Sequence, residues 1–239
     1  MKTTYIIIFI IVLVGFIGSC GMQKTQLHDE YITTIGSLHE EKADVVSVHV
    51  RSGDACNHPT YAIWIETMNG DFLQTLFVTR SYATGNYAHA YIDGYRWAAD
   101  SGKSVRPASL PYWKHKVDSE NIPDAVTSAT PEGSVMVQRN LTHDLQKFRV
   151  LLEVNQAWDN NAYWTNTKYP DSFEYRTSGQ PSVIYAATVD VQSTFDTVYL
   201  NPIGHGHYAG ENGYLYTDIR SLTTALDIFE SVYVTFKKE

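Results

Sequence analysis

Two apolar segments joined through an Asn-Gly pair constrain the fold of this chain more than any other feature. Residues 61–66 and 72–78 are rich in β-branched and aromatic side chains, and Asn69-Gly70 lies between them. An Asn-Gly pair readily supplies the two positive-φ positions of a type I′ turn. The pattern therefore predicts an antiparallel β-hairpin closed by a type I′ turn.

Further segments of similar character predict additional strands. In the first of them, at 44–50, valines alternate with polar residues, which is typical of a half-buried strand. The others are predicted at 134–139, 147–155, 182–191, 196–201 and 231–237. Helical periodicity is weak, and short helices are predicted only around 87–99 and 221–229. We therefore expect an all-β fold, an immunoglobulin-like β-sandwich with long loops and one or two short helices, formed by residues 44–239.

Residues 1–19 have the features of a bacterial export signal. Lys2 provides a basic start, and the apolar run from 5 to 17 is too short to cross a bilayer comfortably. Residues 17–20 read Ile-Gly-Ser-Cys, which resembles a lipoprotein box. We therefore predict cleavage before Cys20 and lipidation of its thiol and its new amino terminus, which gives permanent anchoring. An ordinary secretory signal or an uncleaved anchor is the alternative.

The polar residues that follow Cys20 indicate a tether between the lipid and the folded domain. The segment 20–43 shows no clear periodicity. Gly21 is not acidic and no acidic cluster follows it, so we prefer an outer-membrane anchor facing the periplasm of the bacterial cell envelope. If Cys20 is lipidated, Cys56 has no partner within the chain, and stability must come from a packed core. A metal or redox role for Cys56 is the less favoured alternative to a half-buried residue at a strand end.

The charge balance argues against two classes of partner. The formal net charge is −8, and removal of Lys2 with the signal makes it −9, because residues 1–19 contain no acidic side chain. An acidic surface disfavours nucleic acid and anionic lipid head groups. Contact with the membrane is therefore expected through the lipid anchor.

One short motif indicates a specific chemistry. Residues 124–130 read Asp-Ala-Val-Thr-Ser-Ala-Thr. This Asp-x-x-Thr-x-Ala-Thr pattern resembles the acceptor motif of bacterial FMN transferases, which esterify the FMN phosphate onto the last threonine. Pro123 and Pro131 flank the motif, and a residue before proline is held in extended geometry, so the Thr130 hydroxyl should project outward. The alternative is an ordinary surface turn, because Asp, Thr and Ser form such turns routinely.

The motif is part of a longer resemblance. In chain order, the segments that carry it are 61–66, 69–72, 75–76, 110–113, 124–130 and 148–155. Together they resemble the DUF2271 family of periplasmic or lipid-anchored proteins over roughly residues 44–239. The resemblance implies a covalent FMN used in extracytosolic electron transfer. It also implies two kinds of partner, an FMN transferase and a membrane-bound reductase or other redox protein.

Carried over to this sequence, the resemblance assigns the flavin to Thr130. Asp124, Thr127 and Ala129 would be the positions recognised during attachment, and Ser128 stands where family members carry glycine. Serine is small enough for the modification to survive, but a positive φ at that position would carry a steric cost and slow attachment. No catalytic residue and no metal ligand is assigned, so a redox carrier is expected rather than a catalyst.

Aromatic residues before the motif are candidates for stacking on the flavin ring. They lie within 82–97 and at Tyr112-Trp113. Stacking, hydrogen bonds and nearby charge are the means by which a protein tunes a flavin potential. The alternative for Trp64, Trp97 and Trp113 is packing in the core.

A second class of function is suggested by the aromatic residues near position 160. Asp159-Asn160-Asn161 lies between Trp158 and Tyr163-Trp164. Aromatic rings beside amides could form a sugar platform or a calcium loop, or could close a β-connection. The alternative to a redox carrier is therefore a non-redox periplasmic or surface module that binds a glycan or a protein, and the least specific alternative is a structural lipoprotein.

Two further pairs leave alternatives open. His205 and His207 would face one side of a strand and could chelate a metal, but no third ligand stands at a convincing spacing. Glu66 and Glu153 could form a glycosidic carboxylate pair, although nothing in the sequence fixes their separation.

Overall fold

Two five-stranded β-sheets pack face to face in the structure, a computed structural model that describes residues 33–36, 44–93, 96–117, 133–194 and 196–238. In chain order the strands are β1 (Thr33–Ile35), β2 (Val45–Ser52), β3 (Thr60–Glu66), β4 (Phe72–Val78), β5 (Asn86–Tyr87), β6 (Tyr91–Asp93), β7 (Arg96–Trp97), β8 (Gly102–Lys103), β9 (Val135–Asn140), β10 (Lys147–Asn155), β11 (Val183–Asp190), β12 (Thr197–Tyr199), β13 (Asn201–His205) and β14 (Phe229–Lys237). The helices are α1 (Arg80–Thr84), α2 (Pro111–Lys114), α3 (Phe173–Ser178) and a 3-10 helix (Thr224–Leu226). The predicted all-β sandwich is confirmed.

The first sheet has the strand order β1-β9-β2-β14-β12 and the second has the order β13-β11-β10-β3-β4. All neighbours are antiparallel except β1 and β9, which run parallel. Two short two-stranded ribbons, β5-β8 and β6-β7, lie outside the sandwich sheets. β1 falls inside the segment 20–43 that was predicted to be a tether, so the folded domain takes in residues 33–35 of that segment.

The predicted hairpin is confirmed, but its turn is of a different type. β3 pairs with β4 across the loop Thr67–Asp71. The Gly70 N–H donates to the Thr67 carbonyl at 3.0 Å, and the Thr67 N–H donates to the Asp71 carbonyl at 2.9 Å. Gly70 has φ +91, whereas Asn69 is not among the described residues with positive φ. The connection is therefore a type I turn followed by a glycine bulge, and the prediction of a type I′ turn was wrong.

Alternating side chains of β3 are buried on both of its faces. Tyr61, Ile63 and Ile65 point into the interface between the two sheets and pack in the main core. Trp64 and its neighbours on the opposite face belong to a second cluster, which contains Leu110, Trp113, Val117 and Leu151. A strand covered on both sides reads as a continuous apolar run, which explains why 61–65 contains almost no polar residue.

Helix α2 lies on the outer face of the second sheet and covers Trp64. It begins with Pro111, whose fixed φ suits a first helical position. Leu110 provides no side-chain cap. Instead, the buried Glu153 carboxylate of β10 accepts the Tyr112 N–H at 3.1 Å and the Trp113 N–H at 2.7 Å. A residue distant in the chain therefore accepts hydrogen bonds from backbone N–H groups in the first turn of the helix, which have no partner within it.

The helix predictions were partly wrong. Residues 87–99 contain parts of the short ribbon strands rather than a helix. In 221–229 only the 3-10 helix Thr224–Leu226 is helical. The described residues contain three short α-helices, where one or two short helices were expected. In the described part of the chain, no helix is both long enough and apolar enough to cross a membrane.

Candidate functional site

The predicted flavin segment and the predicted lipidation site, Cys20, lie outside the described residues. The residues of that segment assigned to the flavin site, none of which is described, are Asp124, Thr127, Ser128, Ala129 and Thr130. The chain on either side of this segment is anchored to the sandwich. Val117 is buried in the second cluster, and the buried Ser134 Oγ accepts the Ser52 N–H at 3.1 Å. The segment that contains the motif is therefore joined to the folded domain on both sides.

Thr130 is close to Ser134 in the chain. Three residues separate them, so the four intervening peptide units keep their Cα atoms no more than about 14 Å apart. Gly133 has φ +99, and a Cβ built there would meet no atom of the described residues within 4 Å.

A cavity of about 850 Å³ lies next to Ser52, and we call it the Ser52 cavity. Its lining residues are Ser52, Gly53, Asp54, Ala55, Thr224, Leu226, Asp227, Phe229 and Glu230. Leu226 and Phe229 provide apolar surface, whereas Asp54, Asp227 and Glu230 provide carboxylates. The cavity is within the size range of small-ligand sites, and it adjoins the anchored end of the predicted flavin segment.

Two of the aromatic residues expected to stack on the flavin, Tyr112 and Trp113, lie in the core, whereas Tyr91 is 41% exposed. Trp64 and Trp113 are buried, and Trp113 Nε1 donates to Thr75 Oγ1 at 3.3 Å. The Tyr82 ring meets the Trp113 ring edge to face at 6.0 Å. The burial of Tyr112 and Trp113 argues against stacking on a flavin and confirms their packing role. The described side chains do not include that of Trp97.

The two buried glutamates belong to separate structural networks. Arg149 is opposite Glu66 in the register of β3 and β10, and Ala62 is opposite Glu153. Their backbones are therefore offset by four residues along the sheet, about 13 Å between Cα atoms. Both carboxylates are also fully buried. The geometry therefore does not fit a glycosidase site.

Burial dominates the protonation of Glu153. Its carboxylate accepts hydrogen bonds from Ser182 Oγ at 2.6 Å and from two backbone N–H groups of α2. These bonds favour the charged form, but desolvation outweighs them and raises the pKa of Glu153 to about 7. No other described residue supplies a formal charge to this hydrogen-bonded group, so we assign it a structural role in holding α2 on the sheet.

A groove of about 700 Å³ lies at the end of β13, between the loops that contain residues 161–164 and 218–223. We call it the aromatic groove, and its walls include Tyr163, Trp164, His205, Asp218, Arg220 and Ser221. Trp164 packs in the main core, whereas Tyr163 remains 58% exposed. The groove thus combines a fixed aromatic floor with an accessible ring and polar groups.

Two side-chain amides hold the groove together. Asn161 Oδ1 accepts the Tyr163 and Trp164 N–H groups at 2.9 and 2.7 Å, and its Nδ2 donates to the Ser221 carbonyl at 2.9 Å. The fully buried Gln180 accepts the Thr223 N–H at 2.7 Å. These bonds join both walls before any ligand arrives, so the groove is preorganised.

Tyr163 and Trp164 share a cation. Lys168 Nζ lies 3.0 Å from the Tyr163 ring centroid and 4.3 Å from the Trp164 ring. Trp164 Nε1 donates to Ser221 Oγ at 3.1 Å. The two rings meet edge to face at 5.2 Å. Their positions are therefore fixed from several directions.

His205 offers a hydrogen-bond acceptor to the groove. Its Nδ1 lies 2.8 Å from the Gly206 carbonyl, which can only accept, so Nδ1 carries the proton and Nε2 has a free lone pair. Burial lowers the pKa of His205, which keeps the ring neutral. The ring stacks on Tyr216 at 5.4 Å.

Asp218 and Arg220 form a bidentate pair on the rim of the groove. Arg220 Nε and Nη2 donate to the two carboxylate oxygens at 2.8 and 2.7 Å. Hydrogen bonds from Arg220 hold the pKa of Asp218 well below its usual range. The pair therefore presents a flat, charge-balanced edge with fixed donors and acceptors.

The fold brings together residues that the sequence only partly identified. Tyr163-Trp164 and His205 were singled out from the sequence, and the structure places them in one groove. Asp218 and Arg220 were missed, and an Asp-x-Arg spacing is too common to have identified them. Within the described residues, no group of three or more His, Cys, Asp or Glu side chains could hold a metal ion. Cys56 is half-buried in the loop after β2.

Replacement of Gly179 by alanine is expected to destabilise the fold next to the groove. Gly179 has φ +82, and a Cβ there would lie 2.4 Å from the Asp159 carbonyl oxygen. The strain and the clash should lower the free energy of unfolding by about 2–4 kcal/mol, measured by chemical denaturation. Gly85→Ala is the matched control, because Gly85 has φ +63 but its Cβ would make only ordinary contact at 3.5 Å from Ser104. Equal losses in the two variants would show that the close approach to Asp159 is not important.

Comparison with protein-family models, with curated proteins and with solved structures found no match in any of the three.

Proposed function

We propose that this protein is a lipid-anchored, extracytosolic electron carrier with FMN esterified to Thr130. The observation that carries the proposal is the motif Asp124–Thr130, with its acceptor threonine beside Pro131. The reaction joins Thr130 Oγ to the phosphorus of an activated flavin phosphate. The hydroxyl proton leaves to a base, and the leaving group departs with the electron pair of its P–O bond. No electron is transferred in this step.

The buried residues on either side of the segment support this role. A covalent flavin remains with its carrier in a compartment that offers no dependable pool of free FMN. Ser134 and Val117 are both buried, so the chain is fixed to the sandwich before and after the segment. A redox group held in this way can stay close to one face of the domain while remaining accessible to partners.

The Ser52 cavity is the described surface best placed to receive the ring. It adjoins Ser134 through the Ser52 N–H, and Phe229 and Leu226 supply apolar contact. Bound FMN would supply the electron-transfer chemistry of the isoalloxazine ring. Asp54 and Asp227 would disfavour added negative charge on the ring, so this site should lower the flavin potential relative to a neutral environment.

Cys20 provides the proposed attachment to the membrane. Cleavage before this residue and lipidation of it would place the domain on the outer membrane, facing the periplasm. The proposed partners are an FMN transferase and a membrane-bound reductase or other redox protein.

The proposal predicts covalent flavin that depends on Thr130. Full-length protein co-expressed with an FMN transferase should be yellow after denaturation. Its intact mass should increase by FMN less one water. Thr130→Ala should abolish both signals, because alanine has no hydroxyl to esterify.

Two further variants test the recognition positions of the motif. Thr127→Ser keeps a hydroxyl at a recognition position and should retain the flavin, whereas Ser128→Gly restores the usual glycine and should raise the rate of attachment. Unmodified wild-type protein would refute the proposal, and so would flavin that persists in Thr130→Ala.

A further inference from the structure

We propose that the aromatic groove is a binding site for a neutral oligosaccharide. The inference is independent of the flavin, because it depends only on described residues near the end of β13. What points to it is the placement of the exposed Tyr163 ring beside the Asp218–Arg220 pair in one preorganised groove.

The exposed ring supplies the stacking surface. Tyr163 is 58% exposed although it belongs to a well-fixed loop, and Lys168 Nζ covers one face of its ring, so a sugar would stack on the opposite face. The sugar-ring face that carries axial C–H groups is apolar and packs well on an aromatic ring. The Asn161 hydrogen bonds hold Tyr163 in place, so little conformational entropy is lost when a ligand stacks there.

The charged pair supplies hydrogen bonds suited to adjacent hydroxyls. Each Asp218 oxygen accepts from Arg220 and has further acceptor capacity, while Arg220 Nη1 takes no part in these two bonds. Two neighbouring hydroxyls can therefore donate to the carboxylate and accept from the guanidinium. His205 Nε2 provides another acceptor on the groove wall.

The ion pair at the rim of the groove favours an uncharged ligand at that edge. Asp218 and Arg220 neutralise each other and His205 carries no charge at neutral pH, whereas Lys168 adds a positive charge beside the Tyr163 ring. An anionic ligand would have to compete with Asp218 for Arg220, and a cationic ligand would have to compete with Arg220 for Asp218. A polyhydroxy ligand can bond to both without breaking the pair.

Binding should be tested with the full-length protein on an array of neutral, sulfated and uronic-acid oligosaccharides. The strongest neutral member is then titrated by calorimetry. Tyr163→Ala should weaken its binding about tenfold, and Tyr163→Phe should retain it because the ring remains. Tyr199→Ala is the matched control, since Tyr199 is equally exposed at 58% but lies on β12, outside the groove.

Arg220→Ala provides a second test that does not depend on the aromatic loop. Arg220 is 88% exposed, so its loss should leave thermal unfolding unchanged while weakening sugar binding about tenfold. The proposal is overturned if no neutral oligosaccharide binds, or if acidic glycans bind more tightly. It is also overturned if both groove variants bind as wild type does, or if Tyr199→Ala loses as much affinity as Tyr163→Ala.

Discussion

Glu66→Ala is expected to lower the free energy of unfolding by about 3–5 kcal/mol, the loss typical of breaking a buried ion pair. The fully buried Glu66 carboxylate contacts Arg149 Nη1 at 2.7 Å and Lys116 Nζ at 3.0 Å. Trp64 Nε1 lies 3.4 Å from the same carboxylate. Alanine would leave two cations partly buried without the charge that compensates them. Urea denaturation of both proteins measures the difference.

Glu66 also connects elements on the outer face of the second sheet. Lys116 follows α2, and its ammonium also donates to the Gly70 carbonyl at 2.9 Å. One carboxylate therefore connects β3, β10 and the chain that leads into the predicted flavin segment. Loss of Glu66 should also loosen α2, which hydrogen exchange would detect as faster exchange there.

Glu230→Ala is the control for the Glu66 variant. Glu230 pairs with Arg51 at 3.4 Å, but both side chains are largely exposed. Its removal should cost about 0–1 kcal/mol, because solvent screens surface pairs. Similar losses in the two variants would contradict the argument that burial decides the effect.

Glu153 is expected to make the protein less stable as the pH rises from about 4.5 to about 7. The ordinary pKa of 4.5 describes the unfolded chain, and burial raises the pKa of Glu153 to about 7 in the folded protein. Across that interval the unfolded state releases the proton while the folded state keeps it. The free energy of unfolding should therefore fall by about 3 kcal/mol and change little at higher pH.

The difference between wild type and Glu153→Gln isolates this contribution. Burial lowers the pKa values of His49 and His205, so these residues favour unfolding as the pH falls below 6.5 and partly mask the effect. Both histidines are present in the variant, and their contributions cancel in the difference. The stability of Glu153→Gln relative to wild type should rise from pH 4.5 to 7. A difference that is constant with pH would contradict the assignment.

The local sequence predicted the strands of the sandwich. It did not predict helix α2, which covers the outer face of the second sheet. The hairpin β3-β4 and the long strand β10 were predicted because their β-branched and aromatic content is a local property. Helix α2 was missed because its donors are capped by Glu153, which lies 40 residues further along the chain. The aromatic stretch near 87–99 has no strong hydrophobic periodicity. Its short strands form by pairing with other segments of the chain, which local sequence does not reveal.

In the aromatic groove, too, the sequence revealed some residues, and only the fold revealed the others. Tyr163 and Trp164 were suspected because aromatic residues beside amides are visible in the sequence. Asp218 and Arg220 join them only because Asn161 and Gln180 hold two distant loops together. Conversely, Trp113 looked available for stacking, and only the fold shows that it is buried.

The most direct test of the flavin assignment is fragmentation of the tryptic peptide that spans residues 117–139, taken from protein co-expressed with an FMN transferase. This peptide contains Ser119, Thr127, Ser128, Thr130 and Ser134, so fragment masses can distinguish the possible acceptor hydroxyls. The account predicts that FMN less one water is found on Thr130. An unmodified peptide, or a flavin on any of the other four hydroxyls, would contradict it.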